Sequence, residues 1–330
     1  MDDRHILRVF IRCGWIAGLL TGQMMAANSL QAQGYPTKPI QIVVPFAPGG
    51  VTELSARMIG ERLRQHLGQP GVVIIKDGAG TVIGTEFAAR AAPDGHTLLI
   101  GNSSTVIGSM GKNVSYDLQR DLAPIALYYA QPGIVMVHPS VRINSIRELI
   151  AYAKAKPRDL RYASTGYGAI VHFTTEYFAM SAGISMTHVP YRGGGPAIMS
   201  VISGEVDMMF LGINTAASHV KSGRLRALGV TTKERVPVFP DVPAVAEQGL
   251  PGFDMKTWYA LFAPANTPKP IVDRLQAITQ SVVAEREFSE RLAANGGKAV
   301  FASSDELRAL VDRELKAWSK VIKAAKLDLE

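Results

Sequence analysis

The sequence lacks the residues on which several classes of protein depend. One cysteine, Cys13, occurs in 330 residues, which excludes an intramolecular disulfide and a thiolate metal site. Aromatic residues make up 7% of the chain, too few to suggest stacking platforms for single-stranded nucleic acid. Lys and Arg outnumber Asp and Glu by 35 to 28, but they form no basic block of the kind that follows phosphates. We therefore predict no nucleic-acid partner.

Signatures of enzymes are missing as well. The seven histidines form no His-Glu-x-x-His motif and no paired ligand spacing, so we predict no metal site. The chain has no Gly-x-Ser-x-Gly elbow. Segment 78–84 has one residue too many for a dinucleotide fingerprint. We predict a protein that is not an enzyme and that holds no cofactor.

No apolar run reaches the length of about 20 residues that a membrane-spanning helix needs. Instead, three arginines precede a short apolar run at 13–20, and small and polar residues follow up to Ala32. A basic start, a short apolar core and a small residue at the end are typical of a secretory signal peptide. We predict cleavage near Ala32, which also removes Cys13, and export to the periplasm.

The chain does contain alternating apolar strands and amphipathic helices. We predict strands over 39–46, 72–75, 96–101, 122–130, 133–137, 160–164, 186–191, 206–210 and 225–230. We predict helices over 52–67, 84–92, 145–156 and 169–182, a further helix with Pro196 as its first residue, and helical structure from Pro268 onward. Gln131-Pro132 is expected to separate two strands, and Ser303 with Glu306 to form a capping box. The alternation predicts an α/β protein with parallel sheets.

The alternation occurs twice, which predicts two lobes. We assign 1–32 to the signal peptide, 33–130 and 259–330 to lobe 1, and 131–258 to lobe 2. The crossings between lobes are expected near 130–133 and at 258–262. In such sheets ligands bind beyond the carboxyl ends of the strands, so we expect a ligand cleft between the lobes.

Two glycine-rich turns are the most informative motifs. The first turn is Pro-Phe-Ala-Pro-Gly-Gly at 45–50, and the second turn is Ser-Thr-Gly-Tyr-Gly at 164–168. Each joins a strand to a helix, where free N–H groups and the helix dipole favour an anion. Facing each other across a cleft, the turns would hold an anion from two sides. The alternative is that the glycines only make tight turns.

The predicted ligand-binding residues come from these turns, the helices after them and two later strand ends. They are Phe46, Ala47, Pro48, Gly49, Gly50, Glu53, Ser164, Thr165, Gly166, Tyr167, His172, Tyr191 and Asn214. Three side chains have two interpretations each. Glu53 either selects the ligand or stabilises the helix dipole. His172 either faces the cleft or packs, and Arg192 either pairs with a second ligand carboxylate or lies on the surface.

Several collinear motifs resemble those of one receptor family. They are PFAPGG at 45–50, AR at 56–57, LGQP at 67–70, GAG at 78–80, APDGHTL at 92–98, VPYRGGGPA at 189–197 and APANTP at 263–268. On these motifs the chain resembles the extracytoplasmic solute receptors of tripartite tricarboxylate transporters, also called the Bug family, which are abundant in Bordetella and its relatives.

The resemblance implies a type II periplasmic-binding-protein fold, two α/β lobes that close on a small carboxylate, with delivery to the permease subunits of a tripartite tricarboxylate transporter. It also implies that the turns at 46–50 and 164–168 hold the ligand carboxylate, partly through water. We expect a monomer. The alternatives are a receptor for a membrane sensor kinase, and a periplasmic hydrolase or lyase on the same fold, against which the lack of a paired nucleophile and base argues.

The chain departs from the family pattern at two places near the expected cleft. Glu53 stands where the family usually has Asp, and 80–84 reads Gly-Thr-Val-Ile-Gly where the family usually has Gly-Gly-Asn-Ile-Gly. Both departures leave the identity of the bound carboxylate open.

Overall fold

The computed structural model describes residues 34–329; the predicted signal peptide, with Cys13 and the cleavage site near Ala32, lies outside them. The strands are β1 (Ile40–Val44), β2 (Gly71–Ile75), β3 (Thr97–Asn102), β4 (Leu122–Val137), β5 (Arg161–Ser164), β6 (Thr187–Pro190), β7 (Met208–Gly212), β8 (Arg226–Val230), β9 (Lys256–Pro264) and β10 (Lys298–Ala302). The helices are α1 (Val51–Leu67), α2 (Val82–Ala89), α3 (Ser103–Gly108), α4 (Leu118–Asp121), α5 (Ile146–Ala155), α6 (Ile170–Ala182), α7 (Gly194–Ile202), α8 (Ile213–Lys221), α9 (Lys269–Ala284), α10 (Arg286–Ala293) and α11 (Ser304–Ala325).

The strands follow the order β2-β1-β3-β9-β4-β7-β5-β6, and β8 and β10 also pair with β4. β1 is parallel to β2 and β3, and β5 is parallel to β6 and β7. We use lobe 1 for the half built on β1–β3 and lobe 2 for the half built on β5–β7. This mixed α/β architecture places the carboxyl ends of two parallel sets of strands where a cleft can form.

Each lobe has its own core. One cluster of buried apolar side chains draws only on residues between Ile134 and Phe253. Two other clusters combine the chain up to Tyr129 with the chain from Trp258 onward. Phe173 of α6 belongs to one of those clusters and packs edge-on against Trp318 of α11, with ring centroids 5.6 Å apart. The two cores therefore meet where α6 of lobe 2 packs against α11.

The expected break at Gln131-Pro132 is wrong, because β4 is one continuous strand of 16 residues. Its first part pairs with β9 as far as Pro132 opposite Lys256, and its last part pairs with β7 from Gly133 onward. Proline removes one N–H from a ladder. Here it lies where the strand changes partners, so the strand tolerates it.

The expectation of helix throughout the chain after Pro268 is also wrong. β10 interrupts the helices and pairs antiparallel with β4. α7 begins at Gly194, so Pro196 is its third residue, still within the first turn, where an N–H has no partner in the helix. The capping box of Ser303 and Glu306 is confirmed. No helix within 34–329 is long and apolar enough to cross a membrane.

Candidate functional site

A cavity of about 850 Å³ opens between the two lobes. Its walls come from the carboxyl ends of β1, β2, β3 and β5, and from a segment that follows α11. The lining residues are Pro45, Phe46, Ala47, Asp77, Gly78, Ala79, Gly80, Thr81, Val82, Ser104, Ile107, Gly108, Gly111, Thr165, Tyr167, Gly168, Ala169, Ile170, Asp328 and Leu329. Residues of both glycine-rich turns thus meet at one cavity.

The first turn contributes Phe46 and Ala47 to the cavity wall, while Pro48, Gly49 and Gly50 are exposed beside it. α1 follows the turn, and no side chain caps its N-terminus at Gly50. The first N–H groups of a helix have no partner within the helix. They are therefore available to a ligand carboxylate.

Glu53 folds back on the first turn. Its Oε2 accepts a hydrogen bond of 2.8 Å from the Gly49 N–H, and its Oε1 lies 2.6 Å from Nη2 of Arg57. The hydrogen bond from Gly49, followed by that from Arg57, holds the pKa of the Glu53 carboxyl below its usual value. Glu53 is therefore ionised, and it engages one donor of the turn that was assigned to the ligand.

The second turn places Thr165 and Tyr167 on the cavity wall, with Ser164 fully buried beneath them. Gly166 and Gly168 have φ angles of 144° and 72°, which residues with a side chain rarely adopt. The turn therefore depends on glycine at both positions.

His172 lies behind the second turn and is not among the residues that line the 850 Å³ cavity. Its Nδ1 accepts a hydrogen bond of 3.2 Å from the Gly168 N–H, and its ring stacks on that of His188 at 3.8 Å. The side chain is 2% exposed. This placement corrects the interpretation in which His172 faces the cleft and agrees with the packing interpretation.

Ser164 and His188 form a pair that the sequence analysis did not find. Ser164 Oγ lies 2.6 Å from Nε2 of His188 and donates a hydrogen bond of 2.9 Å to the Gly166 carbonyl. No spacing signal joins residues 24 positions apart; parallel pairing of β5 with β6 brings them together. Because Ser164 is fully buried, its hydroxyl cannot reach a substrate in the cavity. The pair supports the turn and does not form a catalytic centre.

Tyr191 and Asn214 lie outside the wall of the 850 Å³ cavity. The Tyr191 N–H donates to the Ser164 carbonyl at 3.0 Å, so its backbone extends the second turn. Asn214 is exposed at the start of α8, beside Gly296 of lobe 1. Arg192 is exposed, which agrees with its surface interpretation.

The loop after β2 is the largest omission from the predicted site. Gly78, Ala79, Gly80 and Thr81 all have positive φ angles, between 46° and 125°. Backbone strain of this kind in Ala79 and Thr81 is typical of functional sites. Within the described residues, Thr81 Oγ1 is buried without a hydrogen-bond partner. Two features of the sequence could have identified this loop: the Gly-Ala-Gly motif at 78–80 and the departure from the family pattern at 80–84.

The charges of the cavity wall are acidic. Asp77 and Asp328 line it, and the described lining residues include no Lys, Arg or His. Among residues 34–329, no cluster of His, Asp and Glu could hold a metal ion. A negative ligand would therefore rely on backbone N–H groups and helix N-termini.

The segment after α11 joins the two lobes at the cavity. The Asp328 N–H donates to the Tyr167 hydroxyl at 3.0 Å, on lobe 2. On lobe 1, the Lys112 N–H donates to the Leu329 carbonyl at 3.2 Å, and Lys112 Nζ lies 2.5 Å from Asp328 Oδ1. The segment therefore spans the opening between the lobes.

Comparison with known proteins gives consistent matches over nearly the whole chain. A family model described as "Tripartite tricarboxylate transporter family receptor" matches residues 55–327. Protein BugT of Bordetella pertussis is 33% identical over 311 residues, which are 93% of this chain and 95% of that protein.

Solved structures match equally well. An R. palustris protein solved with adipate has a TM-score of 0.76 and 30% identity, over 89% of this chain and 99% of that one. MatC from Rhodopseudomonas palustris with bound malate has a TM-score of 0.73 and 32% identity, over 87% and 100%.

Proposed function

The chain belongs to the family of tripartite tricarboxylate transporter receptors, and we propose that it captures a small carboxylate between its lobes and delivers it to membrane permease subunits. The resemblance based on the sequence motifs and the α/β fold of the periplasmic binding proteins are both confirmed. Relatives in this family are receptors and not enzymes. One observation supports the proposal for the site: residues of both glycine-rich turns line one cavity, together with the N-terminus of α6.

The cavity suits one carboxylate held by backbone groups. α1 and α6 begin without side-chain caps, so the N–H groups of their first turns have no intrahelical partner. The positive ends of two helix dipoles add to the attraction. Gly168, which lines the cavity with a left-handed backbone, lets the ligand approach the backbone of the second turn closely.

The ligands of solved relatives support a small acid. One relative was solved with adipate and another with malate. The cavity of about 850 Å³ lies within the usual size of ligand pockets, roughly 300–1,000 Å³. We propose that its open volume leaves room for the lobes to close on the ligand.

The acidic residues of the cavity wall restrict the chemical groups that the proposed ligand can carry. Asp77 lines the cavity and forms no ion pair or hydrogen bond with another described residue. A second carboxylate on the ligand near Asp77 would be repelled, whereas an ammonium or hydroxyl group would be attracted. We propose a ligand with one carboxylate at the turns and a hydrogen-bond donor at its other end.

Receptors of this family are periplasmic. For this chain we propose signal-peptide cleavage near Ala32, a monomeric receptor and a tripartite permease as partner. A membrane sensor kinase is the alternative partner. Pull-down of the receptor with each candidate from detergent-solubilised membranes would separate them.

Native mass spectrometry of the protein as purified from periplasm tests the central proposal, followed by calorimetry with the acid that is found. We expect a bound carboxylate of small mass. If no bound acid is found and neither malate, adipate nor 6-aminohexanoate binds, the proposal is wrong.

A further inference from the structure

Two histidines behind the second turn, the buried His172 and the half-buried His188, have no part in the function proposed above. The rings of His172 and His188 stack with centroids 3.8 Å apart and planes inclined by 13°. The ring of Tyr162 stacks on that of His188 at 4.9 Å. The histidines line a separate cavity of about 440 Å³ on the far side of the turn.

Each histidine is tied to a different glycine of the turn. His172 Nδ1 accepts from the Gly168 N–H at 3.2 Å. His188 Nε2 contacts Ser164 Oγ, which donates to the Gly166 carbonyl and accepts from the Gly166 N–H at 3.2 Å. The two glycines with left-handed backbone are thus the two that the histidines hold.

The hydrogen bonds fix the protons on both rings. Because Ser164 uses its hydroxyl proton on Gly166, His188 donates from Nε2. Because His172 accepts at Nδ1, its own proton lies on Nε2. A protonated His172 would lose its acceptor, and two imidazolium rings 3.8 Å apart would repel each other. The observed arrangement therefore requires a neutral His172.

Burial favours these neutral forms. It lowers the pKa of His172 to about 3 and that of His188 to about 4, and the nearby His188 ring adds to the effect on His172.

Charged groups reach the pair from several elements. Glu176 of α6 accepts a hydrogen bond from the Tyr162 hydroxyl of β5. Arg158, which precedes β5, and Lys326, which follows α11, line the same 440 Å³ cavity, as does Tyr167. Glu176 favours a protonated ring, whereas Arg158 and Lys326 oppose it.

We propose that His172 and His188 are positioning residues of the ligand site. The neutral His172 ring holds Gly168, and His188 holds Gly166 through Ser164, in the conformation that presents the turn to a carboxylate. Protonation of His172 at Nδ1 releases the Gly168 N–H. Ligand affinity therefore falls when His172 is protonated. The effect on affinity rests on the proposed function, but the effect on the turn does not.

The first test uses the ligand-free protein. Asparagine keeps an acceptor near the Nδ1 position, so His172→Asn should preserve the Gly168 hydrogen bond, while His172→Phe keeps a ring and removes the acceptor. Amide hydrogen exchange at Gly168, measured by NMR, should accelerate in His172→Phe by about tenfold, the size of one hydrogen bond, and stay near wild type in His172→Asn. Equal exchange in all three proteins would overturn the proposal.

A matched control removes the same kind of contact elsewhere. His138 Nδ1 lies 2.7 Å from Ser140 Oγ on the surface of lobe 2. His138→Phe should leave exchange at Gly168 unchanged. If His172→Phe does not fold, titration of the wild type decides. The Gly168 amide shift should follow protonation of His172, and a shift that does not move with it would contradict the proposal.

The second test measures affinity by calorimetry, with adipate, malate and 6-aminohexanoate as probes. For the probe that binds wild type, affinity should fall about tenfold in His172→Phe, recover in His172→Asn and stay unchanged in His138→Phe. Recovery of affinity in His172→Asn would show that His172 acts by positioning the turn, because general damage to the fold would lower affinity in both variants. If no probe binds wild type, the proposed function fails, while exchange at Gly168 still decides on the histidines.

Discussion

The two glycine-rich turns face one cavity but are supported in opposite ways. The first turn is exposed and held by a surface carboxylate, since Glu53 accepts from Gly49 and pairs with Arg57. The second turn is held from beneath by the buried Ser164 and His172 and the half-buried His188. Salt screens the first kind of support, whereas acid disrupts the second. Similar motifs in one site can therefore fail under different conditions.

The largest expected effect comes from removing glycine from the second turn. Gly166→Val forces a β-branched residue to a φ of 144°, a strain of about 1–3 kcal/mol, in the turn that we propose holds the ligand carboxylate. We expect the fold to persist and binding to be abolished, as measured by calorimetry.

The first turn supplies the control for this change. Gly50 has an ordinary φ of −88°, and a Cβ added there would meet no atom within 4 Å. Gly50→Ala should leave affinity close to wild type. Unchanged affinity in a well-folded Gly166→Val protein would remove the second turn from the site.

Buried titratable groups should make the lobes unstable at opposite ends of the pH scale. In lobe 2, both histidines have a lowered pKa, so their contribution to stability is complete above pH 6.5 and is lost as the pH falls toward about 4 and about 3. In lobe 1, burial raises the pKa of Glu314 from 4.5 to about 7. The stability due to Glu314 is therefore complete below pH 4.5 and is lost as the pH rises through about 7.

Urea denaturation from pH 4 to pH 9 tests this contrast. Glu314 accepts hydrogen bonds from Trp258 and Ser103. A glutamine keeps one such acceptor, so Glu314→Gln should flatten only the alkaline side of the stability curve. His172→Asn combined with His188→Gln should flatten only the acid side. Identical curves for the three proteins would show that these groups do not set the pH dependence.

A smaller effect is expected at Asp77, where the cavity wall is acidic. Asp77→Asn should strengthen adipate binding by about fivefold, the size of one solvated charge contact near 4 Å, and should weaken binding of 6-aminohexanoate. Calorimetry with both ligands gives the ratio of the affinity for adipate to the affinity for 6-aminohexanoate. Asp241→Asn changes an exposed aspartate that does not line the cavity and should leave the ratio unchanged. A ratio that Asp77→Asn does not shift would mean that the distal end of the ligand lies elsewhere.

The smallest expected effect is at Glu53. Glu53→Gln keeps an acceptor for the Gly49 N–H and removes the charge beside Arg57. If Glu53 only supports its own turn, affinity should stay the same and stability should fall slightly. Weaker binding would indicate a cationic group of the ligand at Glu53, and stronger binding a second ligand carboxylate. Unchanged affinity on titration removes Glu53 as a selector of the ligand.

Most of the fold was accessible from the sequence because buried parallel strands are apolar runs that alternate with amphipathic helices. The observed α1 begins at Val51 and ends at Leu67, one residue from the prediction at its start and none at its end. β10 was not predicted because it is short and lies between helices. The continuity of β4 was not predicted because Pro132 is typical of a break between strands.

Less of the site could be predicted from the sequence, because much of it depends on packing between segments that are distant in the chain. The turns could be found, since glycine between a strand and a helix is a local signal. The contact of His172 with His188 needs the register of β5 with β6 and the rotation of α6. The folding back of Glu53 onto Gly49 depends on a side-chain direction that sequence spacing does not define.

The shared strand β4 has a consequence for the exchange of parts between relatives. Its first part lies between β9 and β10 of lobe 1, and its last part lies between β7 and β8 of lobe 2. Lobe 2 is thus an insertion within the chain of lobe 1, and the two junctions lie after Pro132 and before Lys256. A single recombination event between two such genes would assemble one lobe from the segments of two different parents. Chimeric receptors should therefore exchange 133–255 as one block, and new specificities are more readily reached by substitutions in the turns.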